Sequence, residues 1–222
     1  MRSSVVKKAL MAVTGLVLIC FLLMHMFGNL KIFAGPDDYN YYAGWLKELV
    51  FYPILPHGWF IWVFRIFILI CLLLHIYYGI VLWLTSRRGR GAKYVHANRR
   101  SETLSAKLQR WGGVTIGALL IFHILMFTTG TITPGFTYAL HDPYSMFMGA
   151  FSQWWVVLVY VIFIGVVCLH VRHGFWSALT TLGANTGPGA RKVINGLAYF
   201  VAILLFVGFV LPPVSVLFGI VS

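Results

Sequence analysis

The chain has 222 residues, of which 60% are hydrophobic and 10% charged, too few charges to cover the surface of a soluble domain of this length. A formal net charge of +12 would suit nucleic acid, but the basic residues gather in loops at one end of alternate apolar segments, which is a membrane pattern and excludes that partner. The three cysteines, Cys20, Cys71 and Cys168, lie inside apolar stretches with no C-x-x-C or C-x-x-C-H spacing, so covalent haem attachment and structural zinc are excluded.

Five apolar stretches are long enough to cross a bilayer, which takes about 20 residues per helix. They are placed near 9–30, 58–85, 112–132, 153–182 and 193–212, with residues 1–222 forming one all-α transmembrane domain. The first follows Arg2, Lys7 and Lys8. Its run from Ala9 to Leu30 is too long for a signal-peptide core, and no A-x-A-like site follows it. The next loop holds Lys31, Asp37, Asp38, Lys47 and Glu48. The second stretch carries Arg65 and His75, and the loop after it is strongly basic, with Arg87, Arg88, Arg90, Lys93, Arg99, Arg100, Lys107 and Arg110. The third carries His123, the fourth His170, Arg172 and His173, with Asp142 in the loop between them. Arg191 and Lys192 precede the fifth, which is expected to end or bend at Pro212 and Pro213, because proline removes a backbone donor and clashes with the preceding turn. Continuous apolar runs indicate helices rather than a barrel, since a single helix satisfies its own backbone in lipid. The charge distribution puts the N-terminus in the cytoplasm and the C-terminus outside, and the basic inner face suits anionic lipid or a docked partner.

The eight histidines are the informative count. His57, His96 and His141 fall in loops or at helix ends, whereas His25, His75, His123, His170 and His173 lie within membrane helices. Ionisable residues inside a membrane are costly and mark function. One alone would read as a helix–helix hydrogen bond; four helices each carrying one ask for more. With a rise of about 1.5 Å per residue, His25 and His123 fall in an outer layer and His75 and His170 in an inner one. Two histidines from facing helices at one depth are what a six-coordinate haem requires. Bundle cores hold cofactors in this way, and neutral imidazole suits iron. The expected architecture is therefore a four-helix haem-binding bundle with the fifth helix beside it, carrying two haem b groups stacked across the membrane as an electron path. On the fourth helix His170 and His173 lie one turn apart and cannot both serve one iron; depth alone leaves the choice open. A proton relay or a metal transporter would place Asp, Glu or thiolates with the histidines, and a channel would show repeated polar faces. These are the non-redox alternatives.

Several stretches resemble the cytochrome b subunit of succinate dehydrogenases and fumarate reductases, in its single-chain, five-helix, two-haem form. His25-Met26-Phe27-Gly28-Asn29-Leu30, with Gly35 and Asn40-Tyr41-Tyr42-Ala43, is similar to that family's first helix and loop. Leu169-His170-Val171-Arg172-His173-Gly174-Phe175-Trp176-Ser177, ending at Leu182-Gly183, is similar to its fourth helix. The resemblance covers nearly the whole chain and implies that His170, not His173, is the axial ligand. It further implies a flavoprotein subunit with covalent FAD and an iron–sulfur subunit docked on the cytoplasmic face. Electrons would pass from succinate through flavin and clusters to this subunit and on to a quinone, menaquinone in two-haem members. A membrane cytochrome b of a hydrogenase or formate dehydrogenase is the redox alternative, and the Leu169–Gly183 segment speaks against it.

Further residues carry expectations of their own. Arg65, about 15 Å outward of His75, is level with the outer layer, and a two-pronged pair with a propionate of the outer haem would compensate its charge; snorkelling to headgroups is the alternative. Arg172 is the weaker inner analogue, and His173 belongs to the layer behind the ligands. Gly79, Gly117 and Gly165 would admit close approach of helices or porphyrin. Quinone candidates are Ser86, Arg87, Arg172, His173 and Trp176 near the inner haem. Near the outer haem they are His57, Glu48, His141 and Asp142. Interfacial anchoring is the ordinary role of such residues, but two haems spanning the membrane give an outer reaction site its rationale.

Overall fold

The computed structural model describes residues 4–88 and 104–221. Arg2, Arg90, Lys93, His96, Arg99 and Arg100 lie outside the described residues, as do the side chains of Arg87, Arg88 and Lys107. All secondary structure among the described residues is helical: α1 (Ser4–Leu30), a short 3-10 turn (Lys31–Ala34), α2 (Pro36–Glu48), α3 (Trp59–Arg88), α4 (Leu104–Phe127), α5 (Pro143–Phe151), α6 (Trp154–Thr181) and α7 (Pro188–Leu217). Five of these, α1, α3, α4, α6 and α7, are long and apolar enough to cross a membrane. The chain is an all-α, multi-pass protein in shape. Several hydroxyls inside the spans are satisfied by their own helices: those of Thr14, Thr85 and Thr115 donate to the carbonyls of Leu10, Val81 and Trp111, four residues back.

Packing is uneven. α6 and α7 make the most extensive contact, followed by α1 with α3, α1 with α6, α4 with α6, and α1 with α7. Thus α1 and α6 lie together at the centre, α3 leans on α1, α4 leans on α6, and α7 fills the side shared by α1 and α6. Among the described residues α1 and α4 are not packed on one another, nor are α3 and α6, nor α3 and α4. The apolar core follows the same division. It runs through Ile19 and Met26 of α1, Met126 of α4, Phe147 and Phe151 of α5, Val156, Tyr160 and Ile164 of α6, and Leu205 of α7. On α3 only Cys71 and Tyr78 are buried hydrophobics, and its Trp62, Val63 and Ile66 are exposed.

Two short helices occupy what the sequence presents as plain connections. Pro36 stands in the first turn of α2, followed by Asp37 and Asp38, a proline and acidic residues where an N-terminus favours them. α5 begins at Pro143, and the Asp142 carboxylate accepts from the Ser145 backbone N–H at 3.1 Å. Side chains join the two helices at one end of the bundle. Asn40 Nδ2 donates to Asp142 Oδ1 at 2.9 Å, the Tyr144 N–H donates to Asn40 Oδ1 at 3.0 Å, and Lys47 Nζ donates to the Leu140 carbonyl at 2.7 Å. The loop ahead of α5 folds back closely enough that a side chain on Gly149 would collide with the Gly135 carbonyl.

The helix does not end at Pro212 and Pro213: α7 continues through both to Leu217. Both prolines are buried. Within a membrane, neighbouring helices tolerate the backbone groups that proline frees. The stop lies further on, at Gly219 with φ +67, where the Gly219 N–H reaches the Val216 carbonyl (3.0 Å) and the Ile220 N–H reaches Ser215 (2.8 Å), a Schellman ending. Gly183 closes α6 in the same way through Leu179 and Thr180. Gly79 and Gly117 do not bring helices into close approach, for an added Cβ at either would meet nothing within 4 Å; at Gly165 it would touch Phe206 at 4.0 Å. α4 ends at Phe127, short of residue 132.

Candidate functional site: two histidine pairs

His25 of α1 and His123 of α4 face each other with ring centres 5.9 Å apart and planes 84° from parallel. His75 of α3 and His170 of α6 do the same at 6.3 Å and 66°. Each pair spans two helices that are not packed together. A metal–imidazole bond of about 2.0 Å on each side, plus about 1.1 Å from ring nitrogen to ring centre, would put two axial rings roughly 6 Å apart. Edge-to-face ring packing covers the same range, so the separation alone does not identify a ligand pair. The nitrogen chemistry narrows it. His75 Nδ1 lies 3.2 Å from the Met11 carbonyl and 3.4 Å from Thr14 Oγ1. A carbonyl can only accept, so Nδ1 carries the proton and the Nε2 lone pair is left for another partner. His123 Nδ1 lies 3.0 Å from the Tyr160 hydroxyl. His170 Nδ1 is buried with no hydrogen-bond partner, while Gln109 Nε2 donates to the His170 backbone carbonyl at 3.3 Å. The residues present fit a group that takes one imidazole from each side. Among the described residues no three His, Cys, Asp or Glu converge on a metal position; the histidines meet in twos.

The surroundings of the pairs differ. At the first, Phe21 stacks on His25 at 5.5 Å, Phe209 lies 5.8 Å from it, and Phe127 lies 5.6 Å from His123. Tyr160 is itself buried and packed at 5.0 Å against Phe151 of α5. At the second pair, small residues clear the space. A Cβ on Gly15 would come within 3.1 Å of His75 Cε1, and one on Gly113 within 3.7 Å of His170 Cε1. Gly15 lies ten positions from His25, Gly113 ten from His123, and Tyr160 ten from His170. Ten positions are about 15 Å of helix, the separation of the two layers. Tyr160, Gly15 and Gly113 were not among the sequence candidates, although their ten-residue spacing from a histidine was there to be read; Thr14 and Gln109 carry no such signal.

The remaining candidates are dispersed. Arg65 is ten positions from His75, and the α1–α3 register that sets Gly15 beside His75 and Phe21 beside Phe64 puts it within about a turn of His25. Its side chain is exposed, lies 5.2 Å from the Trp62 ring, and is near enough to Lys47 to reinforce the lowering of that amine's pKa by burial. Arg172 turns to α7, donating to Tyr199 (2.9 Å) and Asn195 (3.3 Å), with Tyr199's ring 4.4 Å away. His173 packs on Trp176 at 6.5 Å, and Ser86 bonds back to the Trp83 carbonyl. At the α2–α5 end His57 stacks on Tyr52 at 4.2 Å, Glu48 and His141 are exposed, and Asp142 is engaged in capping α5. Compared with known proteins, the chain matches no protein-family model and no curated protein.

Proposed function

We propose that this chain is the di-haem b membrane anchor of a succinate dehydrogenase or fumarate reductase, passing electrons between a cytoplasmic iron–sulfur subunit and a membrane quinone, menaquinone by resemblance. The observation that carries the reading is the double one: two histidine pairs, each with ring centres about 6 Å apart, on helices with no extensive contact of their own. Ordinary ring packing explains one such pair; it gives no reason for two, one above the other, on four helices. Bound haem iron would supply one-electron chemistry by alternating between ferrous and ferric states. His25 with His123 would hold the outer group and His75 with His170 the inner one. The Met11 carbonyl would keep the His75 proton on Nδ1, so that Nε2 faces the iron. Gly15 and Gly113 would leave room for rings that a larger side chain would displace. Arg65, within about a turn of the outer pair's depth, is the proposed partner for a propionate.

The flavoprotein and iron–sulfur subunits enter by the sequence resemblance, with support from the basic loops on the inner side. Quinone chemistry is assigned to the outer layer, at the α2–α5 end, where His57, Glu48 and His141 are accessible to protons. The direct test is the absorption spectrum of the purified protein. Two low-spin haem b groups, released by acid extraction and co-purifying with a flavoprotein, are expected. A colourless protein would end the haem reading, and co-purification with a nickel or molybdenum protein would replace the succinate reading with that of a hydrogenase or formate dehydrogenase.

A further inference from the structure

The two helices at the centre of the bundle, α1 and α6, each serve both layers. α1 carries His25 of the outer pair and, near the inner pair, the Met11 carbonyl and Thr14 hydroxyl that face His75 Nδ1. α6 carries His170 of the inner pair and, at the outer pair, the Tyr160 hydroxyl that faces His123 Nδ1. The arrangement is reciprocal. The histidines of the peripheral helices α3 and α4 are oriented by groups on the central helix that does not supply their own pair's other ring. Resting on the haem reading above, we propose that Tyr160 is the positioning residue of the outer haem, and that the Met11 carbonyl with Thr14 is its counterpart at the inner one.

The two acceptors differ in kind, and the difference has chemical consequences. With Nε2 committed to a metal, Nδ1 must be N–H and can only donate, so Tyr160 Oη accepts from His123. Such a bond draws the ring toward imidazolate, raises its basicity and stabilises the ferric state. A side-chain hydroxyl can be deleted by mutation; a backbone carbonyl cannot. Tyr160 is 6% exposed, with its ring held among Phe127, Phe151 and Phe163, so the oxygen has little freedom to leave His123. Replacing Tyr160 by Phe keeps that packing and removes the oxygen alone.

The experiment is a redox titration of the purified whole complex, wild type against Tyr160→Phe, followed by optical and low-temperature electron paramagnetic resonance spectra, with Gly15→Ala as the inner-layer counterpart. Tyr160→Phe is expected to raise the midpoint potential of one haem and alter its ferric signal, leaving the other haem unchanged. Gly15→Ala, whose new methyl presses on His75, is expected to move the other haem only. Loss of the outer haem in Tyr160→Phe with the inner one at full occupancy would also support the assignment, since the hydroxyl would then be needed to hold His123 at all. Two unshifted haems, equal shifts in both, or loss of both would overturn it. A wild-type protein with no haem would overturn the underlying reading instead, and that outcome is separated from the others before any variant is made.

Discussion

The two histidine layers contain the same pair of side chains at nearly the same separation, yet they are built from different materials. The outer layer is walled by aromatic rings: Phe21, Phe127 and Phe209 around the histidines, and Phe151 of α5 behind Tyr160. Among the described residues the inner layer has no comparable shell. There the positions are cleared by Gly15 and Gly113 and fixed by a main-chain carbonyl. An aromatic wall determines a ring's position by filling volume around it. Glycine and carbonyl determine it by leaving one gap and offering one acceptor. The first construction tolerates few deletions and the second few additions, so the layers are expected to fail under opposite kinds of mutation.

The largest effect that would separate them is ligand removal. His75→Leu or His170→Leu is expected to eliminate the inner haem and leave one low-spin spectrum; His25→Leu or His123→Leu should eliminate the outer one. Spectra in which either inner change left both haems intact would break the pairing. Next comes the contrast in construction. Phe151→Ala should cost about 3–5 kcal/mol of stability as a core deletion and disturb the outer layer, while Gly15→Leu should abolish the inner haem alone. Thermal melts paired with haem quantification would read both. If Phe151→Ala and Gly15→Leu lowered the same haem, the two layers would not be separately built.

A smaller effect concerns the α2–α5 end that closes the outer layer. Asp142→Ala removes the N-cap of α5 and the Asn40 bond, and is expected to cost about 1 kcal/mol, visible as a modest fall in melting temperature with both haems retained. The Asp142 carboxyl is held below its usual range by the hydrogen bonds from Ser145, first, and then Asn40. A depressed folded pKa means that its contribution is present above the unfolded value of about 4 and is lost as pH falls through the folded value. Melting at pH 7 and pH 6 should therefore be equal with respect to this group, with a decline only below about pH 4 that Asp142→Asn lacks. The smallest expected effect is that of Arg65→Gln. If Arg65 meets a propionate of the outer haem, that haem's potential shifts while the inner one does not move. If its place over Trp62 is purely interfacial, neither moves.

The long spans were legible because a bilayer demands long apolar runs and little else can produce them. The short helices were partly legible. Pro36-Asp37-Asp38 and Asp142-Pro143 are helix-start signals in their own right, but they sit among polar connecting residues and carry no long apolar period. Pro212 and Pro213 misled as an end point for a physical reason: the rule that proline ends a helix is drawn from water, where a frayed end is readily solvated, and both of these are buried. Within the candidate site, depth along a helix can be counted from the sequence because the rise per residue is fixed. Direction cannot. That Tyr160 turns to His123 and Arg172 to Tyr199 depends on how α6 is rotated between α4 and α7, and no local pattern specifies it. Gly79 and Gly117 make the same point, since small residues that could admit a neighbour have none within 4 Å.

α3 touches the rest of the bundle almost solely through α1, with a lesser contact to α2. Its other sides show exposed apolar side chains such as Leu69, Ile70 and Leu73. Any ligand shared by His75 and His170 would thus be the main tie between α3 and α6. Binding free energy spent on a form in which α3 is docked appears as docking free energy of α3. On the proposed reading such a ligand would act in biogenesis as a clasp. Without it α3 would be held mainly by α1 and α2, and loading would close its side toward α6.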